Sequence, residues 1–262
     1  ISVLAPASYV SYNILAILCC AALLPLTLTT VKQPDTPPSP RLRPRLAHER
    51  SPLAAAAVVI AALSSASFRM VGPVYGQEVG LSTDQIAYFL SAFVLGGALA
   101  QYPIGWLADK YDRRRVLIWL SLAAIASSMV TVYAAGFGTL GIMLSAGLFG
   151  LTTFPIYSVA AAHAHDFASD EERVELSAAL MFYFALGAIA APYLASLLIE
   201  LYGPRALFLL IAAGHLALVV FGITRMRVRP SPQERTRYTY APRTSFLIGR
   251  LTGRIRAPKN DE

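Results

Sequence analysis

Long apolar segments separated by short polar turns make up most of the chain. Each is near the length of about 20 residues that a helix needs to cross a bilayer. The seven segments are residues 8–31, 53–75, 84–108, 115–135, 138–162, 175–200 and 206–225. No region has the pattern of a β-strand array. We therefore expect an all-α integral membrane protein, because helices satisfy their own backbone hydrogen bonds in lipid.

Composition agrees with this pattern. Hydrophobic residues form 56% of the chain and charged residues 14%, against about 25% charged residues in ordinary soluble domains. The mean hydropathy is +0.54. The two cysteines, Cys19 and Cys20, are adjacent inside the first segment. They have no metal-ligand spacing and cannot sensibly bridge to each other, so we interpret them as small packing residues.

If successive segments cross the membrane in alternating directions, nearly all basic residues fall on one face of the membrane. Of the 22 lysines and arginines, all but Arg69 and Arg205 fall on that face. They lie in residues 32–50, in residues 110–115, at Arg173 and in residues 225–259. The positive-inside rule predicts that these segments face the cytoplasm. The net charge of +7 does not indicate nucleic-acid binding, since basic and aromatic residues are not interleaved for base stacking.

Four regions follow from these patterns. Residues 1–31 form one transmembrane helix, and residues 32–52 form a linker rich in proline and arginine, which we expect to be extended. Residues 53–225 form a six-helix block, and residues 226–262 form a basic cytoplasmic tail. Because the chain begins with Ile1 and has no signal-peptide pattern, we expect further sequence upstream of it.

A charged hinge lies between the third and fourth segments. The stretch Gly105-x-Leu107-Ala108-Asp109-Lys110-x-x-Arg113-Arg114 resembles motif A of the major facilitator superfamily, G-x-L-a-D-r-x-G-r-[RK]. In that family the motif joins the second and third helices of each six-helix half on the cytoplasmic side. Gly105 would permit close helix contact, and Asp109 would meet a helix N-terminus and a neighbouring arginine. Asp112 stands where the family usually has glycine.

The order of segments indicates which half of the family's fold is present. One helix, a basic linker, six helices and a tail resemble helix six, the central loop and helices seven to twelve. The resemblance implies a six-helix bundle that is half of a 12-helix fold, plus one preceding transmembrane helix. Residues 101–105 and 154–157 are similar to an uncharacterised bacterial branch. By the fold's pseudo-symmetry, Asp109 and Arg113 are expected to engage helix five, which lies outside this chain.

Another motif-like pattern lies in the sixth apolar segment, residues 175–200. Gly187-x-x-x-Ala191-Pro192-x-x-Ala195-Ser196 resembles motif C of proton-coupled exporters, with alanine and serine in place of three glycines. In the family that motif is diagnostic in helix five and not in its symmetry mate, helix eleven. We therefore interpret the pattern as a proline-bent, tightly packed helix.

Polar side chains inside membrane spans are candidates for function. By the resemblance, the helices that carry them face a central cavity. The candidate cavity residues are Arg69, Tyr75, Gln101, Tyr102, Thr153, Tyr157 and Tyr183. Arg69 is either a residue for anionic ligands or gating, or an arginine that extends to the outer surface. His163, His165 and Asp166 are candidates for proton coupling, the alternative being a helix end that meets loop charges.

No catalytic, nucleotide-binding or metal-binding pattern is present, so we expect neither an enzyme nor a cofactor. One hypothesis is part of a secondary transporter that moves a small solute across the bacterial inner membrane by alternating access, with proton coupling as an option. The other is an accessory subunit or assembly factor of a larger membrane complex. The expected partners are lipids, a five-helix N-terminal half or another membrane complex, and an unknown solute.

Overall fold

The computed structural model describes residues 9–28 and 41–228. These residues form nine α-helices and two short 3₁₀ turns, without a β-strand among them. The α-helices are α1 Tyr9–Thr27, α2 Pro44–Arg50, α3 Pro52–Glu78, α4 Thr83–Lys110, α5 Arg113–Ala134, α6 Gly138–Thr153, α7 Pro155–His165, α8 Arg173–Tyr202 and α9 Ala206–Val228. The expected all-α fold is therefore confirmed for the described part of the chain. The basic tail beyond residue 228 lies outside it.

Local sequence signals set the helix boundaries. The hydroxyl of Ser51 accepts a hydrogen bond from the backbone of Ala54, and Pro52 occupies the first turn of α3, where a missing N–H has no consequence. At the start of α4, Ser82 and Gln85 form a reciprocal capping box, which satisfies backbone donors that a helix start leaves unpaired. Gly203 ends α8 with a φ of +83°, a conformation that glycine adopts without steric cost.

Five continuous helical stretches in the described residues are long and apolar enough to cross a membrane. One of them covers residues 113–165 and contains α5, α6 and α7. A 3₁₀ turn at Ala135–Phe137 separates α5 from α6. A shorter apolar stretch, Tyr12–Pro25, lies in α1. A multi-helix membrane fold is supported in this way, whereas the arrangement of six spans plus one remains a prediction.

Helix α3 is the centre of the packing. It packs most extensively against α8 and also contacts α9 and α7. Towards its start, α3 shares a buried apolar cluster with α5, α7 and α8. Towards its end it shares an aromatic cluster with α4, α6 and α9. There the rings of Phe68 and Phe93 stack with centroids 4.2 Å apart, and Phe149 meets Phe208 edge-on at 5.5 Å.

The extended linker was predicted wrongly at its C-terminal end. Residues 44–50 form helix α2, whose Leu46 and Ala47 are buried where α2 packs against α8 and α3. Pro44 does not prevent this because it is the first residue of the helix. Ion pairs from Arg43 to Glu175 and from Arg50 to Glu172 tie the segment to the start of α8. Residues 29–40, which contain the other linker prolines, lie outside the described part.

Glycines bring two pairs of helices into backbone contact. A Cβ placed on Gly96 of α4 would lie 2.0 Å from the carbonyl oxygen of Gly147 in α6, and one on Gly150 would lie 1.9 Å from that of Phe93. In α8, a Cβ on Gly187 would lie 2.7 Å from the carbonyl oxygen of Val59 in α3. The tight-packing interpretation of the Gly187 pattern agrees with this geometry. Close backbone approach of this kind holds helices together where lipid supplies no hydrophobic drive.

We expect Gly150→Ala to destabilise the chain by about 1–3 kcal/mol, because the added methyl group must push α4 and α6 apart. The free energy of unfolding in detergent measures this. The matched control is Gly105→Ala in α4, where a Cβ meets nothing within 4 Å and alanine favours the helix by roughly 0.5–1 kcal/mol. Equal effects of the two substitutions would contradict the backbone contact.

Candidate functional site

A pocket of about 220 Å³ lies among α3, α4, α8 and the junction of α6 with α7. Its lining combines apolar and aromatic side chains with one arginine and several neutral polar groups. The lining residues are Ala61, Ser65, Arg69, Phe93, Gln101, Thr153, Phe154, Tyr157, Ser158 and Phe184. A concave, mostly apolar site with a few polar groups is typical of small-molecule binding.

The break between α6 and α7 shapes one wall of this pocket. Phe154, the one residue between these helices, keeps helical dihedral angles. Pro155 then begins α7 without an N–H to continue the hydrogen-bond ladder towards Leu151. The Phe154 side chain lies against Gly97, where a Cβ would come within 2.5 Å of the ring. The pocket therefore lies about half-way along the paired helices.

Arg69 reaches the pocket from α3. Its guanidinium carbon lies 5.4 Å from the centroid of the Phe154 ring, within the range of a cation–π contact. Among the described residues, Arg69 has no ion-pair or hydrogen-bond partner. Its side chain is exposed and lies beside the junction of α6 and α7, so the ligand or gating role of Arg69 and its extension to the outer surface both stay predictions.

Four of the seven predicted cavity residues line this one pocket: Arg69, Gln101, Thr153 and Tyr157. They come from three different regions of the sequence. The hydroxyl of Thr153 donates to the backbone oxygen of Phe149 at 2.8 Å, and that of Tyr157 lies 3.2 Å from the Met181 sulfur.

The other three predicted cavity residues do not line the pocket. Tyr75 is fully buried in the aromatic cluster, where its hydroxyl donates to the backbone oxygen of Thr131 at 3.1 Å. Tyr102 is 86% exposed on the outside of α4. Tyr183 packs partly buried against the apolar cluster near the start of α3. A tyrosine at membrane depth thus serves packing as readily as ligand contact.

Two polar residues of the pocket, Ser65 and Ser158, and its aromatic walls are not among the seven candidate cavity residues. Ser65 lies one turn before Arg69 on α3, and this i,i+4 spacing could have identified it as a residue of the same face. Phe93, Phe154 and Phe184 gave no such signal, because aromatic residues in apolar spans usually pack in the core.

The C-terminal end of α4 and the start of α5 carry a compact ionic cluster. Asp112 caps α5 by accepting from the backbone of Arg114 at 3.0 Å. The Arg114 guanidinium returns two hydrogen bonds to the same carboxylate, at 3.2 Å and 2.8 Å. Arg114 is only 8% exposed, so Asp112 neutralises a charge that is largely removed from water.

Arg113 joins two acidic residues at the same surface. It pairs with Asp109 one turn earlier at 3.2 Å, with the carboxylate of Asp166 after α7, and with the backbone oxygen of Ala162 at 3.2 Å. The expectation that Asp109 and Arg113 find their partners outside this chain is therefore wrong, because both are paired within it. Gly105, by contrast, makes no close helix contact within the described part.

The three candidates for proton coupling surround this cluster without forming one unit. His163 is nearly buried, with its ring edge-on to Phe167 at 5.3 Å. The His165 Nε2 lies 3.2 Å from the Ser177 hydroxyl. Asp166 is held by Arg113.

At the neighbouring α2 contact, the hydrogen bond to Glu172 raises the pKa of Arg50, so this arginine remains charged. No group of three or more metal-ligating side chains occurs in residues 9–28 and 41–228.

The family follows from a comparison with known sequence families. The family model of the Major Facilitator Superfamily matches residues 53–258. The chain belongs to this superfamily. In its hinge, which resembles the superfamily's motif A, Asp112 stands at the position of the usual glycine and serves as cap and counter-charge. The proteins of this superfamily are transporters and not enzymes, as the sequence predicted.

Several bacterial members of the superfamily are similar over most of the chain. An uncharacterised MFS-type transporter of Yersinia pestis is 27% identical over 219 residues, which cover 83% of this chain and 55% of that protein. The uncharacterised MFS-type transporter YcaD of Salmonella heidelberg is 26% identical over 215 residues, covering 81% and 55%. The predicted likeness to an uncharacterised bacterial branch is confirmed. The chain spans about half the length of the curated relatives it matches.

Two solved transporter structures share the fold. The POT family transporter PepTSo superposes with a TM-score of 0.56 at 16% identity, over 73% of this chain and 40% of that one. An auto-inhibited POT family peptide transporter gives a TM-score of 0.55 at 18% identity, over 71% and 39%. At these identities the likeness concerns the fold of this superfamily member alone.

Replacing Asp112 by the superfamily's own residue tests the ionic cluster. We expect Asp112→Gly to cost about 2 kcal/mol or more in unfolding free energy, because a nearly buried Arg114 loses its counter-charge. The exposed Arg115→Gln is the control and should change stability by less than about 0.5 kcal/mol. Chemical unfolding followed by helical circular dichroism measures both. A neutral or stabilising Asp112→Gly would mean that Arg114 is adequately solvated without Asp112.

Proposed function

We propose that this chain forms one half of a secondary transporter, together with one preceding helix, and that the whole protein moves a small solute across the bacterial inner membrane by alternating access. The observation that carries the proposal is the pocket half-way along the helices, in which α3, α4, α8 and the α6–α7 junction place their polar groups together. Transporters of this type bind their solute near the midplane, between two halves that rock about it.

The proposed topology has six crossings after the linker. In this arrangement residues 113–165 cross twice, once as α5 and once as α6 with α7. The 22 residues of α5 span about 33 Å at 1.5 Å per residue, enough for a hydrocarbon core of about 30 Å. Basic residues at 41–50, 113–115 and 225–227 would then all lie on the cytoplasmic side. A second half and membrane lipids are the proposed partners.

The ion pairs of Arg113 suit a gate on the cytoplasmic side. Arg113 connects the α4–α5 turn to the end of α7 through Asp166, and α7 forms part of the pocket wall. Separation of these elements would break the pair and open a path from the pocket to the cytoplasm. Both side chains are about one-quarter exposed, so water can reach the pair when these elements separate, as a gate requires.

A specific observation also supports the alternative role as an accessory subunit. Every α1 side chain that the structure describes is exposed, and α8 is only slightly buried inside the chain. Such surfaces suit a larger membrane complex as well as a second transporter half. The two proposals differ in whether the pocket is reached by water from both sides of the membrane.

Cysteine accessibility tests alternating access without knowledge of the solute. Cys19 and Cys20 are first replaced by serine, and Ser158→Cys is introduced at the pocket. In the protein as encoded in its genome, we expect a membrane-impermeant maleimide to label this cysteine in right-side-out and in inverted vesicles. Labelling from neither side, with stable co-purification of a complex, would favour the accessory role and overturn the transporter proposal.

Three matched controls define sidedness and burial. Ser128→Cys replaces a fully buried serine of α5 and should remain unlabelled. Ser169→Cys should react only in inverted vesicles, because it lies at the proposed cytoplasmic surface. Gly136→Cys, where a Cβ has free space, should react only in right-side-out vesicles. Reversed sidedness of the last two would overturn the proposed topology.

We further propose that transport is coupled to protons through His165. This histidine contacts Ser177 of α8 and lies near the charges of Arg173 and of Asp166, its neighbour in the sequence. We expect an uncoupler to change the ratio of inward to outward labelling of Ser158→Cys by several-fold. His165→Asn should abolish that change, and His48→Asn in α2 should not. An unchanged response in His165→Asn would remove this residue from coupling.

A further inference from the structure

We infer that the pocket binds its solute through a negatively charged group, and that Arg69 is the residue that holds this group. The solute class is a small organic anion with an apolar or aromatic body. This inference rests on the transporter function proposed above and adds the chemistry of the solute.

Arg69 has an exceptional position among the charged residues. In the described helices, every other lysine, arginine, aspartate and glutamate lies within four residues of a helix end. Arg69 lies nine residues before the end of α3, about 13 Å along the helix axis. A charge at such depth is costly in a bilayer, and in membrane proteins it usually faces a cavity and meets a partner there.

The described part of the chain offers Arg69 no opposite charge. None of the ten side chains that line the pocket is acidic, and Arg69 makes no ion pair with any other described residue. The part of the pocket wall that the described residues form therefore carries one net positive charge. An anionic solute supplies the missing charge at the moment of binding, which a neutral or cationic solute cannot do.

The contact with Phe154 prepares the guanidinium for this role. A guanidinium over an aromatic ring is attracted to the face of the ring and still presents its N–H donors at its edge. These donors match the two oxygens of a carboxylate. The stack also limits the side-chain rotamers, so less conformational freedom is lost on binding than with a mobile arginine.

Neutral donors and aromatic walls define the rest of the solute. Ser65 lies one turn from Arg69 on α3, while Gln101 and Ser158 approach from α4 and α7. These three side chains have no hydrogen-bond partner among the described residues, so they remain available to the solute. Phe93, Phe154 and Phe184 form apolar walls, which favour an apolar or aromatic body over a small hydrated ion.

A matched set of probes isolates the charge. Benzoate, benzamide and benzylammonium share one ring and differ in charge. We expect the purified chain in neutral detergent to bind benzoate at least about tenfold more tightly than benzamide, since hydrogen bonds to a charged group are stronger than those between neutral groups. Benzylammonium should bind most weakly. Ligand-detected NMR titration measures the three dissociation constants.

Variants of Arg69 assign the preference to this residue. Arg69→Gln should remove the difference between benzoate and benzamide, and Arg69→Lys should retain part of it, because lysine keeps the charge without the two-pronged geometry. The control is Arg205→Gln, which removes the other arginine outside the cytoplasmic set and should leave the benzoate preference unchanged. Phe154→Leu should weaken benzoate binding several-fold, and it keeps the test informative if Arg69→Gln fails to fold.

Two further measurements test whether Arg69 binds inorganic phosphate or a lipid headgroup instead of a small organic anion. Inorganic phosphate should compete poorly with benzoate, since it cannot use the aromatic walls. The chain should bind benzoate with the same affinity in nanodiscs of phosphatidylcholine alone and in nanodiscs in which phosphatidylglycerol replaces part of that lipid. Strong competition by phosphate would overturn the organic body, and strong competition by phosphatidylglycerol would assign Arg69 to a lipid headgroup.

The outcomes distinguish this inference from the transporter proposal. Equal binding of the three aromatic probes, or a benzoate preference that survives Arg69→Gln, would overturn the anion inference. If Ser158→Cys is still labelled from both sides of the membrane, the transporter proposal stands without it. If Ser158→Cys is protected on both sides while benzoate binds through Arg69, the anion site stands and the transport proposal fails.

Discussion

The low polarity of the bilayer interior is the constraint on which this structure depends. Charge is costly there, so the ionic residues collect at helix ends, where Asp112 and Arg114 pair at the start of α5 and Arg50 meets Glu172. Because lipid is as apolar as leucine, the helices must be held together by close packing instead of a hydrophobic drive. The backbone contacts at Gly96, Gly150 and Gly187 are the result.

Close packing and ion pairing therefore occur in different parts of the molecule. Around the end of α3, glycine contacts and the stacked rings near Phe68 form a tightly packed region. At the start of α5, partly exposed ion pairs such as Arg113 with Asp166 hold α5 and α7 together. Water can reach such pairs, whereas a close-packed interior resists deformation.

The sequence predicted well which residues form helices, but it predicted poorly which face of each helix meets the pocket. The lengths of the apolar segments placed most helix ends within a few residues, because this signal is local. Tyr75 and Tyr102 were assigned to the cavity for their polarity alone. Tyr102 follows Gln101 by one residue and is turned about 100° away from it, and Tyr75 lies on a different face of α3 from Arg69. Packing against neighbouring helices fixes which face meets the pocket, and no local pattern records it.

Other errors had equally definite causes. The proline content of residues 32–52 concealed α2, whose Leu46 and Ala47 gain burial only where α8 is present. The partners of Arg113 were sought outside the chain because family symmetry suggested a distant helix, whereas Asp166 follows α7 in the same fold. In both cases the deciding contact joins residues more than 50 positions apart, beyond the reach of periodicity and composition.

The discontinuity at Pro155 divides residues 138–165 into two mechanically separate parts. The first part, α6, is fixed to α4 through glycine contacts. The second part, α7, is held to α5 through the side chains of Arg113 and Asp166. Since the proline removes a backbone hydrogen bond at the junction, a rotation of α7 relative to α6 meets less resistance there than within a continuous helix. Phe154 lies at that junction, so a rotation of α7 would carry with it the ring on which Arg69 rests.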